Sequence, residues 1–333
     1  MTAHTWSVPP EAAGERLDRH VAAHLDVPRN QVQQWIAGGL VRVNGRPAKP
    51  SVPVAGGDRV ECAPPAPKEE RVRPEAGELS VLHEDGDLVV IDKPAGLVVH
   101  PGAGRSTGTL VHRLLDRYPE MAGVGGQGRP GIVHRLDQGT SGVLLVARTP
   151  AAYRRLARAF AAREVEKLYL GIAYGAPAPA QGRIEAPIGR HPQRRKEMTV
   201  RAGGRSARTE YRTLAARAGL ALLELDLATG RTHQIRVHLK HVGHPLVGDP
   251  VYGEARWKGF PRPVQAWLRD FPRPALHAWR VALQHPGTGE PLVCEAPVPE
   301  DLRALWERVS GAPLPDLAGA RRARGRPSSP PSP

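Results

Sequence analysis

Cysteine is nearly absent: the 333 residues include two, Cys62 and Cys294, far apart and in no Cys-x-x-Cys pair. This excludes a disulfide framework and a thiolate zinc site, and it fits a reducing compartment in which both serve as packing residues. No stretch reaches the roughly 18 consecutive apolar residues of a membrane span. The opening MTAHTWSVPP has neither the basic start nor the apolar run of a secretory signal, so the chain is expected in the cytoplasm, away from membranes. There is no internal repeat. Carboxylates are in deficit, with 33 Asp and Glu against 47 Lys and Arg and a formal charge of +14. An Arg-rich excess points to a polyanionic partner, because guanidinium groups bind phosphate bidentately and stack on bases. Three familiar motifs are missing despite partial likeness. Gly123-x-Gly125-x-x-Gly128 follows Arg117-Tyr118-Pro119-Glu120, which is no buried strand, and opens no helix, so it reads as a flexible loop rather than a dinucleotide fingerprint. His238, His241 and His244 lack a carboxylate or Cys at zinc spacing. Ser141 is followed by Gly142-Val143, so no Gly-x-Ser-x-Gly elbow exists. Neither a metal nor a cofactor is expected.

What is present divides into two domains. In residues 14–63, Leu17, Val21 and Leu25 recur at helical spacing, and Val32, Trp35 and Ile36 do so again after Pro28, which suits the first turn of a second helix. Leu40 to Val43 then meets Asn44-Gly45, a hairpin turn signal, and a further short strand ends near Glu61. Residues 64–78 are Pro-rich with mixed charge and predict an extended linker. From 79 to 310, short β-rich runs (81–83, 88–91, 143–147, 168–173, 210–214, 220–227) are interrupted by helices at 108–117 and 151–163, which predicts an α+β core. Residues 311–333, rich in Pro, Ser and Arg, predict a disordered basic tail.

Chemistry concentrates around Asp137. Val143 to Ala147 suits a buried strand, and Gly139, Thr140 and Ser141 make a tight turn that holds Asp137 at the strand's edge. Taken alone, an Asp before Gly and Thr is a turn or capping residue; its neighbours change that. Lys93-Pro94-Ala95-Gly96 follows a strand, Lys167 and Tyr169 can share a strand face, and Thr229 to His238 leads from a strand into a helix carrying Arg231, Ile235 and Arg236.

The stretch His134-Arg135-Leu136-Asp137-x-x-Thr140-Ser141-Gly142 resembles the catalytic motif of the RluA/RluD family of RNA pseudouridine synthases, the other segments resemble that family too, and residues 14–63 resemble an S4 RNA-binding domain. The resemblance implies a mixed, mainly antiparallel β-sheet core with flanking helices and a small S4-like α/β domain in front. It implies an isomerase that breaks the N1–C1′ bond of a uridine, turns the base and joins C5 to C1′. Asp137 would act as the catalytic carboxylate, Tyr169 would stack on the uracil, and Arg231 would be the counter-ion of Asp137, with Arg236 as its rival. Ile235 would pack under the base, and Arg135 would enter the RNA stack in place of the flipped base; His134 is grouped with the RNA-side residues, bracing the loop. On the S4 side the RNA-binding candidates are Arg16, Arg19, Arg29 and Arg42, with Gln33 and Gln34. The likeness is to the RluD branch, so the expected partner of this monomer is large-subunit (23S) ribosomal RNA. The alternative is a non-catalytic S4-type RNA-binding or ribosome-assembly factor, which intact Asp137, Tyr169 and Arg231 argue against; a nucleoside hydrolase is a third reading.

Overall fold

A computed structural model describes residues 3–27, 29–64, 72–102, 105–125 and 129–317. The chain separates into two compact units, Met1–Glu70 and Arg71–Pro333. Pro28, the Gly126–Gly128 part of the glycine loop, much of the expected linker and the tail beyond 317 lie outside the described residues.

In the first unit, strand β1 (His4–Ser7) is followed by helices α1 (Leu17–His24) and α2 (Arg29–Ala37) and strands β2 (Val41–Val43), β3 (Arg46–Pro47) and β4 (Arg59–Cys62). The antiparallel sheet runs β1-β4-β2-β3. Asn44 and Gly45 both take positive φ, +51° and +75°, the backbone that a two-residue hairpin turn requires. Leu17, Val21, Val32, Trp35 and Ile36 bury the helical faces against Val41, Val60 and Cys62, which is the spacing seen in the sequence. The unit starts earlier than residue 14, because β1 adds an edge strand; His-Thr-Trp-Ser is too short and polar to announce itself by periodicity.

The second unit contains β5 (Val81–Glu84), β6 (Leu88–Lys93), α3 (Leu110–Arg117), β7 (Ser141–Ala147), α4 (Pro150–Ala162), β8 (Glu166–Tyr174), β9 (Gln181–Glu185), β10 (Ile188–Arg190), β11 (Met198–Val200), β12 (Arg208–Arg217), β13 (Leu220–Leu227), α5 (Gln234–His241), α6 (Arg262–Arg269), β14 (Leu276–Gln284), β15 (Pro291–Glu295) and α7 (Glu300–Ser310). The main sheet runs β5-β6-β7-β14-β8-β13-β12-β9, with β15 beside β14. β10 and β11 form a separate ribbon. Among the described residues the sheet has one parallel pair, β7 with β14; its other pairs are antiparallel.

Both faces of the central strands are covered, which is why β7 and most of β8 and β13 are continuously apolar rather than alternating. Tyr169, Ala173, Leu223 and Leu225 share a cluster with Leu110 and Leu114 of α3, Leu156 of α4 and Ile235 and Leu239 of α5. Ile172, Tyr174, Leu220 and Leu222, of opposite parity, face Leu268 of α6 and Leu302, Leu305 and Trp306 of α7. The parallel pair depends on Gly142, whose φ is +112° and where a Cβ would fall 2.1 Å from the Ala278 carbonyl oxygen. Only glycine lets β14 come this close to the start of β7.

Candidate active site

Asp137 occupies the turn that feeds β7, closed by the Thr140 N–H on the Asp137 carbonyl at 3.0 Å. The two carbonyls after it are held from behind by cations. That of Gln138 accepts from Lys93 Nζ at 3.3 Å, and that of Gly139 from Arg273 Nη1 at 3.4 Å. Lys93 is fully buried and also donates to the carbonyls of Pro94 and Leu97 at 2.8 and 3.0 Å. Burial, then the nearby Arg273 charge, lowers the Lys93 pKa to about 7, while Asp137 pulls it the other way. Arg273 in turn grips both carboxylate oxygens of Asp301 in α7, at 2.6 and 2.7 Å.

The counter-ion of Asp137 is Arg236, which corrects the expectation of Arg231. Arg236 Nη1 lies 3.4 Å from Asp137 Oδ2. Its other edge is fixed by buried Asp249, with Nε and Nη2 donating at 2.7 and 2.8 Å. Asp249 Oδ1 also accepts the backbone N–H groups of Val251 and Tyr252 at 2.9 and 3.0 Å. Burial alone would raise the Asp249 carboxyl; Arg236 and these N–H groups outweigh it and hold it below the usual range. The Tyr252 ring lies under the Arg236 guanidinium, 4.9 Å from ring centre to Cζ, and its hydroxyl shares a hydrogen bond with His233 Nδ1 at 2.9 Å. Arg231, by contrast, precedes α5 and turns away, its Nε donating to the Ser206 carbonyl at 3.1 Å. Gln234 enforces that turn: its side chain meets Thr229 Oγ1, the Arg231 N–H, the Arg208 carbonyl and Thr209 Oγ1, all within 3.0 Å. Asp249, Tyr252, Gln234 and Arg273 are the supporting residues that sequence reasoning missed. Of these, Gln234 alone lies within the family-like segment Thr229 to His238.

Tyr169 and Ile235 come together with Asp137. All three line a cavity of about 100 Å³ that also touches Leu227, Arg231, Arg236 and Leu276. Tyr169 is buried, and burial followed by the Asp137 charge raises its phenol above the ordinary value. Arg135 is exposed at the place where this cavity meets a larger cleft of about 1110 Å³, lined also by His100, Arg105 and Gly96. Such a narrow recess, with a single carboxylate in its wall and opening beside a broad cationic cleft, can accept one planar group from a polyanion.

His134 does not face that cleft, correcting its place among RNA-side residues. Its Nε2 accepts the Leu145 N–H at 2.8 Å and its ring stacks on Phe160, so it braces the loop. Burial, then Lys167, pushes its pKa down to about 3. In the first unit, Arg16 and Arg29 converge with Gln33 on buried Asp18, at 2.7 to 3.1 Å, and together hold its carboxyl below the usual range. Arg19 and Arg42 are exposed. One group of potential metal ligands, His83, Asp85 and His285, lies elsewhere. His285 Nδ1 accepts the N–H groups of Gly287 and Thr288, so Nε2 carries the proton and donates to Asp85. Asp85 joins the trio by hydrogen bonds to both imidazoles.

Residues 87–241 match the RNA pseudouridylate synthase family, and residues 15–60 match the S4 domain. The chain is 45% identical over 305 residues to ribosomal large subunit pseudouridine synthase D of Xanthomonas campestris pv. campestris, covering 91% of each. It is 41% identical to the protein of that name from Escherichia coli K12, covering 91% of this chain and 93% of the other. Human RNA pseudouridylate synthase domain containing 1 has a similar structure, with a TM-score of 0.56 at 27% identity, covering 76% of this chain and 99% of that one.

Proposed function

The chain belongs to the RNA pseudouridylate synthase family, and from that premise we propose that it isomerises uridines of large-subunit ribosomal RNA in the cytoplasm, with Asp137 as the reacting carboxylate. The observation that carries the reading is the convergence of Asp137, Tyr169, Ile235 and Arg236 on one small cavity. A carboxylate there can attack C1′ or remove the 2′ proton, and in both routes the Arg236 guanidinium, 3.4 Å away, holds it in place. Tyr169 offers a ring face on which the uracil can stack while it turns, and Ile235 adds an apolar part of the wall. The target base must leave the RNA stack, at a cost of a few kcal/mol; Arg135, exposed at the rim, is suited to fill the gap with its planar cation. Arg16, Arg19, Arg29 and Arg42 of the S4 domain serve capture of the folded RNA, Arg16 and Arg29 already oriented by Asp18.

Release of tritium from C5-tritiated uridine in large-subunit RNA tests the reaction, since isomerisation frees that position and mere binding does not. Asp137→Asn is expected to abolish release in single-turnover assays while RNA affinity stays within a few-fold. A variant that converts uridine at the wild-type rate removes Asp137 from the role; a wild-type protein that binds this RNA and releases no tritium favours the assembly-factor alternative.

A further inference from the structure

When the N1–C1′ bond breaks, its electron pair leaves with the base, and negative charge spreads from N1 onto the uracil carbonyl oxygens. This holds whether Asp137 attacks C1′ or removes the 2′ proton. The residues so far assigned to the base do not meet that charge. Tyr169 presents a ring and Ile235 an alkyl group, and the donor nitrogens of Arg236 already face Asp249 and Asp137.

His233 stands where the charge would form. It is half-buried and, like Asp137, lines both the small cavity and the larger cleft. It sits just before α5 on a left-handed backbone, at φ +56°, with its carbonyl accepting the Val237 N–H at 2.9 Å. The Tyr252 hydroxyl accepts the Met198 N–H at 2.9 Å and lies 2.9 Å from His233 Nδ1. Tyr252 is buried, and its hydroxyl proton has no other acceptor among the described residues. The hydroxyl therefore donates to Nδ1, since the alternative is a buried O–H left unpaired. In the neutral ring this fixes the proton on Nε2. Burial favours the neutral ring by lowering its pKa. Among the described residues Nε2 has no protein partner, yet it is not sealed from solvent. With Nδ1 turned to Tyr252, the opposite edge of the ring, carrying Nε2–H, is the one that opens on the pocket.

We propose that His233 is a further catalytic residue, whose Nε2–H donates to a carbonyl oxygen of the target uracil and stabilises the anionic base while it is detached from C1′. This rests on the proposed isomerisation and adds to it a donor for the charge that Asp137 cannot meet. No proton is transferred: the hydrogen bond strengthens as the base takes up the electron pair and relaxes when C5 joins C1′. The fixed tautomer also means that Nε2 is not the base that takes the C5 proton.

The probes are RNA stem-loops with either uridine or 5-fluorouridine at the converted position, and single-turnover conversion at saturating enzyme is read by chromatography of nuclease digests. Fluorine stabilises the departing anion, so detachment of that base leans less on a donor. His233→Leu is expected to slow conversion of uridine about a hundredfold, with RNA affinity within a few-fold, and to slow conversion of 5-fluorouridine distinctly less. His233→Gln, which keeps an N–H near the same place on the same backbone, should recover much of the uridine rate. The ratio of the two rates within one protein does not depend on how much of that protein is folded, so mere loss of active molecules leaves it at the wild-type value. An unchanged ratio in His233→Leu, or no advantage of Gln over Leu, overturns the donor role. A ratio that changes in Arg231→Met and not in His233→Leu overturns it in favour of Arg231. Failure of the wild type to convert uridine overturns the proposed function instead.

Discussion

A guanidinium has two edges to present, and in Arg236 they are divided between a buried anion that fixes it and a half-exposed one that it serves. Nε and Nη2 face Asp249, Nη1 faces Asp137. Loss of that guanidinium removes the group that orients the Asp137 carboxylate, so Arg236→Met is expected to lower the single-turnover rate at saturating RNA by about tenfold or more. Arg231→Met is expected to leave that rate within a few-fold and to raise the RNA concentration needed for half-maximal rate. A larger loss of saturating rate in Arg231→Met than in Arg236→Met would return Arg231 to the counter-ion role. This distinction was not legible in the sequence, although the segment was. Arg231 and Arg236 lie five positions apart across a turn and the start of a helix, and the choice between them is made by Asp249 and Gln234. Neither partner leaves a periodic or motif-like trace, because each acts through a hydrogen bond formed only in the folded chain. Asp137, Tyr169 and Ile235 were legible because the residues around them match a family pattern.

At the level of the element, the reacting turn is shaped by the strand it leads into. β7 is an apolar run that any reading of hydrophobicity would make a buried strand, yet its most exacting residue is Gly142, where the chain crosses against β14. Gly142→Ala would place a methyl group 2.1 Å from the Ala278 oxygen on a backbone with φ +112°. We expect a loss of about 3 kcal/mol or more in unfolding free energy, measured by urea denaturation, and a fall in turnover because Asp137 lies five residues earlier in the chain. Turnover and urea midpoint both unchanged would show that β14 can shift to accept the methyl group. The helices at 108–117 and 151–163 emerged within two residues of their expected ends, since each has a clear apolar stripe. β1, β3, β10 and β11 escaped notice because strands of two to four residues are too short for alternation to register; β9, β14 and β15, of five to nine residues, were passed over as well.

For the whole molecule, histidine sets the response to acid. His134 is half-buried and His277 fully buried, and both are neutral, with pKa values lowered chiefly by desolvation to about 3 and about 4. Unfolding returns each to its ordinary value near 6.5. Between that value and the folded one, the unfolded chain binds more protons than the folded one, so stability falls as the pH drops through this window. The limit is about 1.4 kcal/mol per pH unit for each histidine. Carboxylates such as Asp249, held low in the fold, add their own loss only nearer pH 4 and below. Urea midpoints at pH 7, 6 and 5 should therefore decline steadily in the wild type and less steeply in His134→Gln; parallel declines would assign the acid sensitivity to other groups.

One of the two neighbours of β7 in the sheet, β14, comes from the last fifth of the chain, and so do Arg273 and the Asp301 that holds it. During synthesis the reacting carboxylate therefore leaves the ribosome long before the parts that seat it. At about 5 to 20 residues per second, the interval from Asp137 to Asp301 amounts to tens of seconds or less, during which every residue of the cavity wall except Leu276 can already be outside. A chain arrested after Asp270 carries Asp137, Tyr169, Arg236 and Asp249 and lacks the strand against which their turn is set. Such a chain is expected to convert no uridine, and assays on released fragments of that length would show it.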